Sequence, residues 1–462
     1  MKKITSTLLF LAFSFLSFAQ TAFREKTIQD LSFVQDTTKV VTAWLKQNAM
    51  TVKHLDEGNG FSDLQPLKKT LQDAQVIGLG ESTHGTHEFF KIKCRFLEFL
   101  VTQMGFTAFA MESSFSDCEP INDYILTGKG DRATVITNQN YMAWDTEEFS
   151  AMLDWMRTYN QKVSDEKKVR FYGLDILSLQ KVGREKARDY FQKHVPEKVA
   201  AIDSVCAVFA GEEVNWLSRI NLTALQQSFI PLNNLMNYLI DNKDRLVGTS
   251  SLKAWEQTYK YLEVMQQSLY FHLKDLPPSF VSKKLDRDEY MWQNLLYIIE
   301  RERPNTKFIF WAHNYHVASN ESVKSVGYFL RQKFGDRYYT LSLECHQGTF
   351  QARELLPDNY WGDLKIDTLS SIPTSVNWHF AQIRKPYLFV DLRRAAANPL
   401  VSKWLDTPSN FEVGIWKHRR VNENFEMKKL KGSFDGVFFI QRSTPVHPTK
   451  NALERAKGRI GF

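Results

Sequence analysis

Three groups of polar residues stand directly behind short apolar runs, and their types suit acid–base chemistry. The first is GLGESTHGTHEFFK, in which Glu81 and His84 lie three apart between Gly80 and Gly85. Imidazole titrates near neutrality, so an uncharged His84 is available to take a proton, and a carboxylate beside it fixes its tautomer and raises its basicity. Glu81 is placed to be that carboxylate. The same two residues also suit a turn and a helix cap, and a short Gly-rich motif does not separate the two readings. The neighbouring His87 and Glu88 are expected to solvate the first turn of the helix that follows.

The second group is Glu112, which ends the apolar run TAFAMES. A carboxylate there is expensive to bury without partners, which points to a polar site, to an ion pair, or to a cap on the segment beginning at Ser113. The third is FIFWAHNYHV, where His313 and His316 flank Asn314 and share one cavity if a turn begins there. Other chemistries lack their signatures. No G-x-S-x-G elbow is present, although Ser82 sits where a nucleophile would. His87-Glu88 is followed by Phe, Phe and Lys91, which is no H-E-x-x-H, and the glycines fit neither a Walker loop nor G-x-G-x-x-G.

The elements that must position these groups are legible as alternation. Runs such as VIGLGE (Val76 to Glu81), TAFAMES (Thr107 to Ser113), VRFYGLD (Val169 to Asp175) and KFIFWAHN (Lys307 to Asn314) suit strands buried on both faces. YYTLSLE, PYLFVDL and GVFFIQ continue the series. Helical spacing of apolar residues fills Glu88 to Met104 and Glu148 to Asn160. Strands alternating with helices predict an α/β fold with a mainly parallel sheet in three α/β/α layers. Polar residues at strand ends then face the ligand crevice. The stretch 183–303 shows almost no strand pattern and reads as a helical region inserted between two parts of the catalytic domain, 20–182 and 304–462. The tail beyond Thr444 reads as surface loop.

The N-terminus carries Lys2, Lys3, an apolar run from Leu8 to Phe18 and small residues before Gln20. This predicts a signal peptide over 1–19, cleaved near Ala19, and a periplasmic or secreted destination. No later stretch reaches the roughly 18 apolar residues of a membrane span, so no stable membrane anchor is expected. The remaining chain, 43% hydrophobic and 24% charged overall, has ordinary globular composition. The net charge of +7 is scattered rather than striped, so no nucleic-acid partner is expected. Cys94, Cys118, Cys206 and Cys345 lie far apart, which permits a disulfide without demanding one.

Taken in order, GLGESTHGTHEFF, GFTAFAMES, LDRDEYMWQNLLYI, FIFWAHNYHV and GVFFIQRSTP resemble the erythromycin esterase family from about Leu71 to Pro445. That resemblance implies His84 as the base that activates water, with Glu81 and Glu112 supporting base and water and His313 facing the same cleft. It places a basic residue, usually arginine, where this chain has Lys93, which keeps the charge but loses the bidentate fork. Lys93, Arg287 and His316 are the expected substrate-binding groups, with a surface ion pair to Asp286 or Asp288 as the other reading for Arg287. The implied activity is hydrolysis of a small-molecule ester or lactone, without cofactor and without a covalent intermediate. Two other functions stay open at this point. One is a metal-dependent hydrolase or peptidase holding a divalent ion on Glu81, His84, Glu112 and His313, which are ligands that suit Zn, Mn or Fe. The other is a binding protein that uses the cleft without turnover.

Overall fold

In a computed structural model the chain is described over residues 38–139, 141–177, 180–209, 222–272, 285–322, 324–355, 360–373, 375–406, 409–412, 417–418, 425–457 and 460–461. The signal peptide expected over 1–19 lies outside these residues. The strands, in chain order, are β1 (Met50–Thr51), β2 (Val76–Leu79), β3 (Ala108–Ser114), β4 (Arg170–Asp175), β5 (Phe308–Trp311), β6 (Tyr338–Leu355) and β7 (Tyr360–Ser370). They continue as β8 (Tyr387–Asp391), β9 (Ser409–Glu412), β10 (Lys417–His418), β11 (Phe425–Lys428), β12 (Gly436–Ser443) and β13 (Ile460–Gly461).

The apolar runs that predict doubly buried strands build the middle of one sheet, ordered β1-β8-β12-β6-β2-β5-β3-β4. Along this path pairing is parallel from β4 across to β12 and antiparallel from β12 to β8 and from β8 to β1. Successive side chains point to opposite faces, so each strand feeds two cores. Ile77, Phe109, Met111, Ile309 and Trp311 pack with the helices His87–Met104 and Glu147–Asn160 on one face. Val76, Ala108, Ala110, Phe308 and Phe310 pack with Met291, Leu295 and Ile298 of the helix Arg287–Arg301 on the other. This is the expected three-layer α/β/α architecture. Full burial of each large apolar side chain contributes about 1.5–3 kcal/mol, which explains why both faces of these strands must be covered.

Helices Lys181–His194, Val199–Phe209, Leu222–Asp241 and Leu252–His272 gather a separate core around Phe191, Leu232, Leu262 and Met265. The helix Arg287–Arg301, which also falls within 183–303, packs on the sheet instead. Two features depart from the sequence reading. The strand that begins with YYTLSLE extends to Leu355 and pairs antiparallel with β7 from Gln347↔Ser370 to Leu355↔Trp361; mixed polar residues there hide the strand pattern in the sequence. The tail beyond Thr444 is docked rather than loose: Val446 and Ala452 are buried, and Lys450–Arg455 is a helix capped by Thr449. Its anchors include Glu88, which accepts from the Thr444 amide and hydroxyl at 2.8 Å each instead of merely solvating its helix. All four cysteines are free. Among the described residues no helix is long and apolar enough to cross a membrane.

Candidate active site

Four adjacent strands bring one acidic or imidazole group each to the same end of the sheet. Glu81 follows β2, His313 follows β5, Glu112 lies in β3 and Asp175 ends β4. Sheet register shifts between Met111 and Ser114, an irregularity of the kind that re-aims a side chain. The segment after β2 is held by close approach. A Cβ on Gly80 would stand 2.1 Å from Asn314 Oδ1, and one on Gly85 would stand 1.8 Å from the Gln351 carbonyl oxygen. Both glycines are therefore required for space, and neither has a left-handed φ.

Glu81 is fully buried and divides its carboxylate between two neighbours. Oε1 lies 2.7 Å from His84 Nδ1, and Oε2 accepts from Lys93 Nζ at 2.8 Å. Lys93, expected in the open cleft to polarise a carbonyl, lies instead behind Glu81 with no exposed surface, its ammonium 4.3 Å from the Trp311 ring centre. Burial pushes Lys93 down, and Glu81 only partly restores it, leaving it at about 8. The His84 ring packs edge-on against Trp144, centroids 5.0 Å apart, and 5.3 Å from His313. Its side chain is 15% exposed, and no described residue hydrogen-bonds its Nε2.

Glu112 is the second node. Burial raises its carboxyl, but the charges of His316 and Arg287 outweigh that and hold it well below the usual range. Arg287 Nη2 donates to Glu112 Oε1 at 2.8 Å, His316 Nε2 lies 3.1 Å from the same oxygen, and the His313 amide donates to Oε2 at 2.9 Å. His316 Nδ1 stands 2.9 Å from Asp288 Oδ1. Burial lowers His316, yet Asp288 and Glu112 carry it up to about 10, so it is an imidazolium at neutral pH. Arg287 also reaches Asp175 through Nε at 3.1 Å and through Nη2. The surface ion pair to Asp286 or Asp288 is thus replaced by a chelate of two strand-end carboxylates.

His313 spends both ring nitrogens on backbone: Nδ1 accepts from the Tyr315 amide at 3.2 Å, which leaves Nε2–H to donate to the Ser82 carbonyl at 3.2 Å. It braces the segment carrying His84. The four-residue metal reading meets carboxylates already facing Lys93, Arg287 and His316. Sequence reasoning passed over Asp175, Tyr141 (donating to Asp175 at 2.8 Å) and the role of Trp144, whose Nε1 donates to the Glu112 carbonyl at 3.0 Å, and it named Asp288 only as an ion-pair partner for Arg287. Asp175 alone had a usable signal, since it ends a strand as Glu112 does.

The sequence model of the family described as erythromycin esterase matches residues 101–443. The chain is 24% identical over 426 residues to erythromycin esterase type II of Escherichia coli, covering 87% of this chain and 97% of that one. A solved Bacillus cereus protein superposes with a TM-score of 0.76 at 26% identity, over 89% of this chain and 99% of its own. The erythromycin esterase EreC, a mutant in its open conformation, shares the fold with a TM-score of 0.65 at 14% identity, over 86% and 98%. With the family pattern running through residues 101–443, most of its length, the chain belongs to the erythromycin esterase family.

Proposed function

We propose that this protein hydrolyses an ester or lactone of a small molecule, using water activated by His84 and forming no covalent enzyme intermediate. Family membership supports a hydrolase, and one observation carries the finer reading. His84 is held at Nδ1 by a fully buried carboxylate while its Nε2 is left without a partner among the described residues. In this reading Nδ1–H donates to Glu81, Nε2 takes the proton from water, and the hydroxide adds to the carbonyl; the tetrahedral intermediate then collapses to the acid as the C–O bond breaks and Nε2 returns the proton to the departing alkoxide oxygen. While His84 holds the proton, Glu81 faces an imidazolium on one oxygen and Lys93 on the other. In this site four carboxylates (Glu81, Glu112, Asp175, Asp288) stand against three cations (Lys93, Arg287, His316). Arg287, 21% exposed, is the cation best placed to meet the oxyanion.

The E. coli relative's name makes macrolactones the first substrates to try. Purified protein incubated with a panel of macrolides and simple esters is expected to yield products heavier by one water. His84→Ala is expected to lower kcat by about 10²–10⁴-fold, the usual weight of a general base, with an unchanged circular dichroism spectrum. Undiminished turnover in that variant would remove His84 from the mechanism.

A further inference from the structure

A second cluster of ligating atoms lies outside the network just described. His87 opens the helix His87–Met104, Glu148 stands in the first turn of Glu147–Asn160, and His447 follows β12 on the docked tail. His87 Nδ1 lies 2.6 Å from Glu148 Oε1, and His447 Nδ1 lies 2.7 Å from the same oxygen. The two nitrogens and a carboxylate oxygen all fall within 4.8 Å of one another. The backbone fixes all three positions. The tail pairs with both helix entries through Thr86↔Pro445 and Thr146↔Pro448 bridges, the His87 amide donates to the Thr444 carbonyl at 2.9 Å, and the Glu147 amide donates to the His447 carbonyl at 2.8 Å. The His447 amide also donates to Glu148 Oε2 at 3.2 Å, orienting the carboxylate.

We propose that His87, Glu148 and His447 form a binding site for a divalent transition-metal ion, zinc above all. Two imidazoles and one carboxylate are a zinc ligand set that leaves the fourth position to water. Bonds of about 2.0–2.1 Å to a tetrahedral ion place ligand atoms about 3.3 Å apart, so each nitrogen must draw back from Glu148 by roughly 0.6–0.7 Å. The ring of His447, 68% exposed, has room for that, while Glu148 at 3% exposure is the buried anchor. Solvent reaches the cluster from the His447 side, which gives the ion a way in. The bound ion would tie the C-terminal segment to the helix that begins three residues after His84. It is separate from the water-activating groups and is not a participant in their chemistry.

The test is titration of ZnCl2 into tag-free, metal-stripped full-length protein by calorimetry, with cobalt(II) as a spectroscopic probe. One equivalent of zinc is expected to bind per chain and raise Tm, and cobalt is expected to develop the visible bands of a tetrahedral site. His447→Ala, at an exposed position that leaves folding intact, and Glu148→Gln are each expected to abolish saturable binding and the cobalt bands. Absence of saturable binding in the unmodified protein would overturn the proposal. Full affinity in either variant, or binding lost in His84→Ala instead, would overturn it as well.

Discussion

His316 is a histidine that the protein keeps charged, and this makes one residue's contribution readable by pH. Burial opposes its proton, but Asp288 and Glu112 hold it, and its affinity rises from 6.5 to about 10. A group whose folded pKa is raised stabilises the native state fully below its unfolded value and loses that contribution as pH climbs through the folded one. Lys93 works in the opposite sense: its folded value of about 8 lies under 10.5, so raising pH through that interval relieves a cost. The protein should therefore be compared with His316→Gln rather than scanned alone. The gap between their urea midpoints is expected to be widest below pH 6.5 and to close by about pH 10. A gap of constant width would show that His316 is held neutral.

At the scale of elements, the segment from Gly80 to Gly85 owes its shape to what presses on it. The backbone of β6 at Gln351 passes so near Gly85 that a methyl group would meet the Gln351 carbonyl carbon at 2.7 Å and its nitrogen at 2.9 Å. The Gln351 and Val446 amides both donate to the Gly85 carbonyl, at 2.9 and 3.0 Å. Neither the strand nor the tail can yield without breaking those bonds. Gly85→Ala is thus expected to cost about 1–3 kcal/mol, the usual penalty for overfilling a packed site, and to lower hydrolysis by displacing His84. Thermal melting and the ester assay check the two effects together. A variant that melts and turns over like the parent would mean that the segment is more compliant than its packing indicates.

Among the described residues, the large cores lie on each face of the sheet and among the helices Lys181–His194, Val199–Phe209, Leu222–Asp241 and Leu252–His272, with a small cluster of Ile176, Val264 and Tyr290 between them. Cores that share few side chains can open separately. Leu262, fully buried in the helical core, is the place to test this. Leu262→Ala is expected to cost about 2–5 kcal/mol locally and to speed amide exchange through those helices, while the amides of β2 and β5 keep their protection. Equal acceleration in the sheet would show that the two regions unfold as one.

The parallel strands and their covering helices were legible because doubly buried runs and helical spacing are local properties of the chain. Glu81, His84, Glu112 and His313 were legible for the same reason, since each ends or follows such a run. What the chain alone could not decide is which charge faces which. Lys93 reads as a cleft residue until the packing of its helix sets it behind Glu81. Arg287 reads as a surface ion-pair former until the sheet brings Asp175 and Glu112 within its reach, 112 and 175 residues away. Likewise His87, Glu148 and His447 converge only because the tail folds back across two helix entries, with His447 299 residues from Glu148. Periodicity fixes the direction in which a side chain leaves its own element. Its partner is chosen by the long-range packing of elements, which here leaves His84 Nε2 without a partner among the described residues and ties both ring nitrogens of His313 to backbone.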